Sequence, residues 1–316
     1  MKINILRISF IIVLSAFLII ILIGSHLLAQ LNSNSKNFSP PYNSISNISC
    51  IINNYTTISF EIDDVIFSQY DSSALQNALY VANKYNITFD LGVIAFPFRY
   101  SMDNDTFSIY KNNQDVFEVI AHGFTHRLDS SIINPINESF YSEYQNKTNS
   151  SIYGEFYVFP INKNVPINIQ EDHIKRMKEI FQEFNLTTAT QIFTLPYHTG
   201  DFNTTILADK YGYSLILQKV NVPKSYSEVK FGRIIASENY IDILPTDIIF
   251  TNNDVLDYNS KLNNVISLGQ KRIDVSLHPI NFQNLSAVDN FFGQILSQKN
   301  SNIVYRMLSD RFNCVY

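Results

Sequence analysis

The stretch Thr57-Ile58-Ser59-Phe60-Glu61-Ile62-Asp63-Asp64 carries the clearest architectural signal in the chain. It is a run of β-branched and aromatic residues closed by two carboxylates, which is the composition of a short buried strand with a polar end. Residues 73–85 place Leu75, Ala78, Leu79 and Ala82 at helical spacing, and residues 87–96 form a second strand-like run that ends at Pro97. Strand, helix and strand in this order predict a parallel pair joined by a crossover helix. The alternation continues with strands predicted at 116–121, 190–195, 213–217 and 273–277, and helices at 169–184, 204–211, 258–268 and 287–298. An irregular strand region covers 233–243, a last strand covers 303–307, and the polar segment 129–151 reads as an insertion. Seven or eight β/α units in one domain point to a barrel or a strongly wound α/β sheet. In a parallel barrel the chemistry collects at the C-terminal ends of the strands.

Composition fits one large domain. The chain has 316 residues, 46% hydrophobic and 14% aromatic, enough to bury a full core. Only 16% of residues are charged, and Asn, Ser and Thr supply the remaining polar surface. The net charge is -5 with no Lys/Arg cluster, which excludes a nucleic-acid footprint. At the N-terminus Lys2 and Arg7 precede an apolar run over 8–24 that continues to Ala29. This is long enough to cross a bilayer, and the leading positive charges keep that end cytoplasmic with the rest outside. The expectation is an uncleaved signal anchor over residues 1–29; the competing reading is a signal peptide cleaved after Leu27-Leu28-Ala29. Residues 30–55, Asn/Ser-rich with Pro40-Pro41, read as a polar stalk, and the domain occupies 56–316. An outside location agrees with Asn-x-Ser/Thr sequons at Asn47, Asn54, Asn86, Asn104, Asn137, Asn146, Asn149, Asn185, Asn203 and Asn284. Cys50 and Cys314 bracket the domain; in an oxidising compartment they either form a disulfide or remain two thiols, and neither sits where a thiolate would be activated.

The polar residues cluster at the predicted strand ends. Asp63-Asp64 close the first strand, His122 and His126 follow the run 116–121, Pro196-Tyr197-His198 follow 190–195, and His278 closes 273–277. On one turn of helix, two histidines at i and i+4 share a face and can serve one metal ion, although such a pair in isolation is better explained by coincidence or a capped helix start. Adjacent strand residues point to opposite faces, so Asp63 and Asp64 can share one site only if the chain bends there. One carboxylate with two histidines makes a three-ligand set that leaves a position for water, as in hydrolytic zinc sites. The second carboxylate is then free to accept a proton. The stripe Ile174, Met177, Ile180 and Phe181 reads as core. His26, at the membrane end, and His173, beside Glu171, Asp172 and Lys175, receive no role; for His173 a solvated helix face is expected.

The order Glu61-Ile62-Asp63-Asp64, His122-Gly123-Phe124-Thr125-His126, Leu195-Pro196-Tyr197 and Ser276-Leu277-His278-Pro279 resembles the polysaccharide deacetylase superfamily, and most of all a divergent branch known as a domain of unknown function. The resemblance covers residues 56–316. It implies a (β/α)7-type barrel, here preceded by a transmembrane helix, carrying a divalent metal, usually Zn2+ with Co2+ or Mn2+ as alternatives. It implies removal of N-acetyl or other acyl groups from an extracytoplasmic polysaccharide or glycan. By the same resemblance Asp63 is the catalytic base, Asp64, His122 and His126 are the metal ligands, and His278 is the catalytic acid. Pro196 and Tyr197 form the oxyanion and substrate element through the backbone N–H of Tyr197. Three departures stand out. Val65 follows the Asp pair where the family has Gly, no Arg precedes Pro196-Tyr197 to orient the base, and His198 is an addition that is either a polar contact or a surface loop residue. Arg233 is a candidate replacement for the absent Arg. The competing functional readings are a barrel that binds carbohydrate or a partner without turnover, and a glycosidase, which needs two carboxylates across the scissile bond.

Overall fold

The structure, a computed structural model, describes residues 56–126, 155–158, 163–217, 228–231, 234–237, 240–242, 250–267, 272–297 and 303–310. The chain divides into Met1–Ser49 and Cys50–Tyr316, and all described residues belong to the second unit. The expected signal anchor, the stalk, the polar insertion, Cys50, Cys314 and Arg233 lie outside the described residues. Among the described residues no helix is long and apolar enough to cross a membrane. The described sequon residues Asn86, Asn104, Asn185, Asn203 and Asn284 are all exposed.

The quoted stretch is strand β1 (Thr56–Val65), followed by helix α1 (Ser72–Tyr85), β2 (Phe89–Val93), the short helices α2 (Ala95–Ser101) and α3 (Asn104–Lys111), and β3 (Phe117–Ala121). The small hairpin β4 (Tyr157–Val158) and β5 (Lys163–Asn164) leads into α4 (Ile167–Glu183), β6 (Ile192–Thr194), α5 (Phe202–Lys210) and β7 (Leu215–Leu217). Then come β8 (Glu228–Phe231), β9 (Ile234–Ser237), β10 (Tyr240–Asp242), α6 (Asn252–Ser267), β11 (Arg272–Leu277), α7 (Leu285–Ser297) and β12 (Ile303–Tyr305). The main sheet has the order β10-β11-β1-β2-β3-β6-β7-β9-β8, and β12 pairs with β1 off this path. Every pairing is parallel except the β8–β9 hairpin. The sheet curls as a partial α/β barrel whose path ends, β10 and β8, are not paired with each other among the described residues.

The alternation of β1 explains both faces of the sheet. Ile58, Phe60 and Ile62 face one way, while Thr57, Ser59, Glu61 and Asp63 face the other, and all seven are buried. Phe60 packs edge-on against Phe292 of α7 at 5.2 Å between ring centroids and stacks on Tyr305 of β12 at 5.4 Å. The polar face repeats across the sheet, because Glu61 is in register with Asp90 of β2, and Asp90 with Glu118 of β3. Two of these buried carboxylates accept backbone N–H groups from the C-terminal segment. Asp90 takes that of Leu308 at 3.1 Å and Glu118 that of Ser309 at 3.1 Å. The interior of the curl is therefore polar, and β1 runs along it towards the site.

Two expectations are corrected. The strand expected over 87–96 stops at Val93, and Pro97 falls in the first turn of α2, where its missing N–H costs no helix bond. The single irregular strand expected over 233–243 is two strands in distant parts of the sheet, β9 against β7 and β10 against β11.

Candidate metal centre

The site lies at the C-terminal ends of β1, β3, β6 and β11. Asp63 and Asp64 end β1, where the β1–β2 register shifts between Ile62 and Val65 and Asp64 adopts a left-handed φ of 63°. That bulge supplies the bend the sequence required, and both carboxylates meet the same imidazole. His122 Nδ1 lies 3.4 Å from Asp63 Oδ1, and His122 Nε2 lies 3.4 Å from Asp64 Oδ1. His126 Nε2 stands 2.9 Å from the same Asp64 Oδ1. Ligand atoms of Asp64, His122 and His126 all fall within 4.8 Å of one another.

This donor set fits a divalent cation. One carboxylate oxygen and two imidazole Nε2 atoms converge on one point, the ligand types and number of a catalytic zinc site. Asp64 Oδ1 is buried and makes no hydrogen bond, so the convergence is left for an ion to satisfy. Asp63 facing Nδ1 of His122 favours the tautomer with its proton on Nδ1, which directs the Nε2 lone pair to Asp64 and His126.

Four non-glycine residues here have left-handed backbones: Asp64, His126, Tyr197 and His198, with φ of 63°, 64°, 55° and 50°. Such conformations cost about 1–3 kcal/mol each and gather where geometry is imposed for function. Tyr197 and His198 lie in the turn Pro196–His198 after β6, with the N–H of His198 donating to Leu195 O at 2.7 Å. The Tyr197 ring sits 4.7 Å from that of His126. His278, after β11, brings Nε2 to 3.9 Å from Asp64 Oδ2. Its backbone N–H donates to Asn281 Oδ1 at 2.7 Å, capping the turn Pro279–Phe282.

Asp63 is fully buried and its surroundings keep it ionised. Burial pushes its carboxyl up, but the neighbouring charges of His122, His198 and His278 outweigh that and hold it below the usual range. Burial pushes the Asp64 carboxyl up as well, but the adjacent imidazoles of His122 and His126 outweigh it and hold Asp64 well below the usual range. Beneath Asp63 the Glu61 carboxyl goes the other way, raised well above its ordinary value first by burial and then by the charge of Asp63. Ser276 Oγ donates to Asp63 Oδ2 at 2.5 Å, and His198 Nε2 lies 3.5 Å from the same oxygen. Gly92 of β2 leaves room for this carboxylate, since a Cβ there would stand 2.6 Å from Asp63 Oδ1.

The structure thus brings together Asp63, Asp64, His122, His126, Tyr197 and His278, with Pro196 buried in the turn beside them. His198 is a buried neighbour of Asp63, not a surface residue. His173 corrects the expectation of a solvated face: it is 1% exposed, with Nδ1 2.9 Å from Oε1 of the fully buried Glu155. The acids Glu171 and Asp172 that suggested solvent lie on neighbouring helical positions, and the 3.6-residue period turns His173 inward with Ile174 and Met177. Glu155, Ser276 and Gly92 were not visible as site residues in the sequence.

No family model matches the chain, and no curated protein matches it. Solved structures do. A protein from Mycobacterium smegmatis assigned as a polysaccharide deacetylase shares 12% identity over 82% of this chain and 90% of its own, with a TM-score of 0.54. The chain has the polysaccharide deacetylase fold. The catalytic domain of a peptidoglycan N-acetylglucosamine deacetylase from Eubacterium rectale covers 83% of this chain and 93% of its own at 12% identity, with a TM-score of 0.45. A family 4 carbohydrate esterase from Streptomyces lividans covers 83% and 96% at 12% identity, with a TM-score of 0.41. The fold assignment rests on the first of the three.

Proposed function

We propose that the chain is a divalent-metal-dependent hydrolase that removes N-acyl groups from a glycan outside the cytoplasm. The observation that carries this reading is the convergence of Asp64, His122 and His126 beside the buried carboxylate of Asp63. The similarity to the M. smegmatis polysaccharide deacetylase supports the substrate class. Zn2+ suits the ligand set, and Co2+ or Mn2+ would meet the same donors. A divalent ion held there would polarise the amide carbonyl and lower the pKa of a water.

The chain's own residues do the rest. Asp63, held by Ser276 and His198, takes the proton of the attacking water. The backbone N–H of Tyr197 donates to the oxyanion as the carbonyl becomes tetrahedral. His278 delivers a proton to the leaving nitrogen as the C–N bond breaks, so that acetate and a free amine result. The glycosidase reading has less support, because Asp63 and Asp64 contact one imidazole from one strand end instead of flanking a gap. The membrane-anchored, extracytoplasmic location is part of this proposal and is supported by Lys2, Arg7 and the apolar run that follows.

The test is metal analysis and acetate release on the purified chain. About one equivalent of divalent metal is expected, by analogy with three-ligand sites. Asp63→Asn should keep the metal and lower acetate release from N-acetylated oligosaccharides by at least about 100-fold. A wild-type protein that holds no metal after purification without chelator, or an Asp63→Asn variant with full activity, overturns the assignment. Glycan retention without acetate release from any N-acetylated sugar supports the binding-protein alternative.

A further inference from the structure

The turn that carries both metal-ligating histidines has no regular structure of its own. It follows β3 as His122-Gly123-Phe124-Thr125-His126, with left-handed backbones at Gly123 and His126. Its backbone N–H groups nevertheless converge on one carboxylate. Phe124 N–H donates to Glu155 Oε1 at 2.9 Å and to Oε2 at 3.0 Å, Thr125 N–H to Oε2 at 3.2 Å, and His126 N–H to Oε2 at 2.9 Å. Glu155 is fully buried, and His173 of α4 holds its Oε1 from behind with Nδ1 at 2.9 Å. A Cβ at Gly123 would overlap Glu155 Oε2 and lie 2.5 Å from Pro196 Cγ, so the carboxylate fills the space the glycine leaves.

We propose that Glu155 is a positioning residue for the metal ligands. Its carboxylate, seated on His173, gathers the N–H groups of residues 124–126 and sets the distance between the imidazoles of His122 and His126. Consecutive N–H groups turned towards one point form an anion nest, and here the anion is a side chain of the protein itself. A carboxylate that accepts hydrogen bonds from three residues in a buried setting is held more firmly than a neutral acceptor would be. Glu155 touches neither the ligand nitrogens nor the site of reaction. Its effect passes through the backbone of His126 and reaches His122 through the same turn. No motif marks Glu155, which stands far along the chain from every other site residue.

This inference takes the metal-site reading as its premise for one readout and is independent of it for the other. The first readout is Zn2+ affinity of the full chain by titration calorimetry. The second is amide hydrogen exchange at Phe124, Thr125 and His126 in chelator-treated protein. In Glu155→Gln one oxygen becomes an NH2 group that cannot accept from the turn. The expected result is a loss of about 10- to 100-fold in Zn2+ affinity, the usual effect of removing a partner that orients ligands. Exchange at the three amides should rise by at least about 10-fold while that of β3 stays as in wild type. Glu118→Gln, which removes the buried β3 carboxylate that accepts the backbone N–H of Ser309 in the C-terminal segment, should lower stability and leave both readouts unchanged. If Glu155→Gln does not fold, His173→Ala is read in the same two assays with the same expected direction. A folded variant with wild-type exchange at the three amides overturns the proposal. Zn2+ binding absent from wild type overturns the metal reading, and the exchange experiment still decides the role of Glu155 in the turn.

Discussion

Ser276 Oγ donates to Asp63 Oδ2 at 2.5 Å, joining the strand that ends in His278 to the strand that ends in the two carboxylates. The parallel register pairs Glu61 with Ser276, so the hydroxyl reaches diagonally up β1 to the carboxylate above its partner. A buried carboxylate that loses such a donor retains its desolvation cost, worth about 1–3 kcal/mol. Ser276→Ala should therefore lower kcat by about 10-fold or more and lower the melting temperature, with metal content unchanged. Acetate-release kinetics beside metal analysis of the variant check this.

His198 approaches the same oxygen, with Nε2 at 3.5 Å from Asp63 Oδ2. Phe193-Thr194-Leu195, directly before Pro196-Tyr197, offers no Arg, and the histidine after Tyr197 stands where it can hold the base. His198→Phe keeps a ring in the buried space and removes the nitrogen. Its expected effect is a fall in kcat of about 10-fold with KM little changed. Because Ser276 and His198 act on one oxygen, the Ser276→Ala/His198→Phe double variant should lose less than the sum of the two single effects in free energy. Strict additivity would show that the two side chains do not share a task.

The fold was legible because its signal is repeated. β1, α1, β2, α4, α7 and β11 each carry an apolar period that local burial preserves, and their predicted positions need shifts of only a few residues at the ends. The motif residues were legible because they sit at strand ends in chain order. What the sequence could not show comes from contacts between distant segments. Ser276 meets Asp63 only through sheet pairing, Glu155 meets the histidine turn after an intervening segment, and His173 is turned inward by the rotation of a helix whose neighbouring residues are charged. The split of 233–243 into β9 and β10 was hidden for the same reason, since a short apolar run does not reveal which strand it will pair with.

Gly92 tests how closely the base is packed. A Cβ there would meet Asp63 Oδ1 at 2.6 Å, Asp63 Cα at 3.3 Å and His122 Cβ at 3.3 Å, so the side chain cannot be accommodated by one rotamer change. Gly92→Ala should cost about 1–3 kcal/mol of stability, as overpacking does. It should also displace the carboxylate from Ser276, so acetate release at a temperature well below the melting point should fall further than stability alone accounts for. Normal activity with normal melting would mean that β2 has room to give.

Glu61 sets a pH dependence of stability that can be isolated. Its carboxyl is raised well above the ordinary 4.5, first by burial and then by the charge of Asp63 above it. The folded protein thus keeps a proton that the unfolded chain has already lost, and it binds more protons than the unfolded state between the two pKa values. Stability from this group is fully present below about pH 4.5 and declines as pH rises through the folded-state value. Glu61→Gln has no such group, and its amide occupies the same volume beside Thr194, whose Oγ1 lies 3.4 Å from Glu61 Oε2. The hydrogen bond with Glu61 helps to hold the Asp63 carboxyl below its ordinary value, so the change the variant makes at Asp63 falls on the acid side of the range compared. Urea unfolding of the chelator-treated proteins should then show the variant gaining on wild type steadily as pH is raised from 4.5. Parallel curves across that range would mean that Glu61 titrates normally and that Asp63 has no protonated neighbour beneath it.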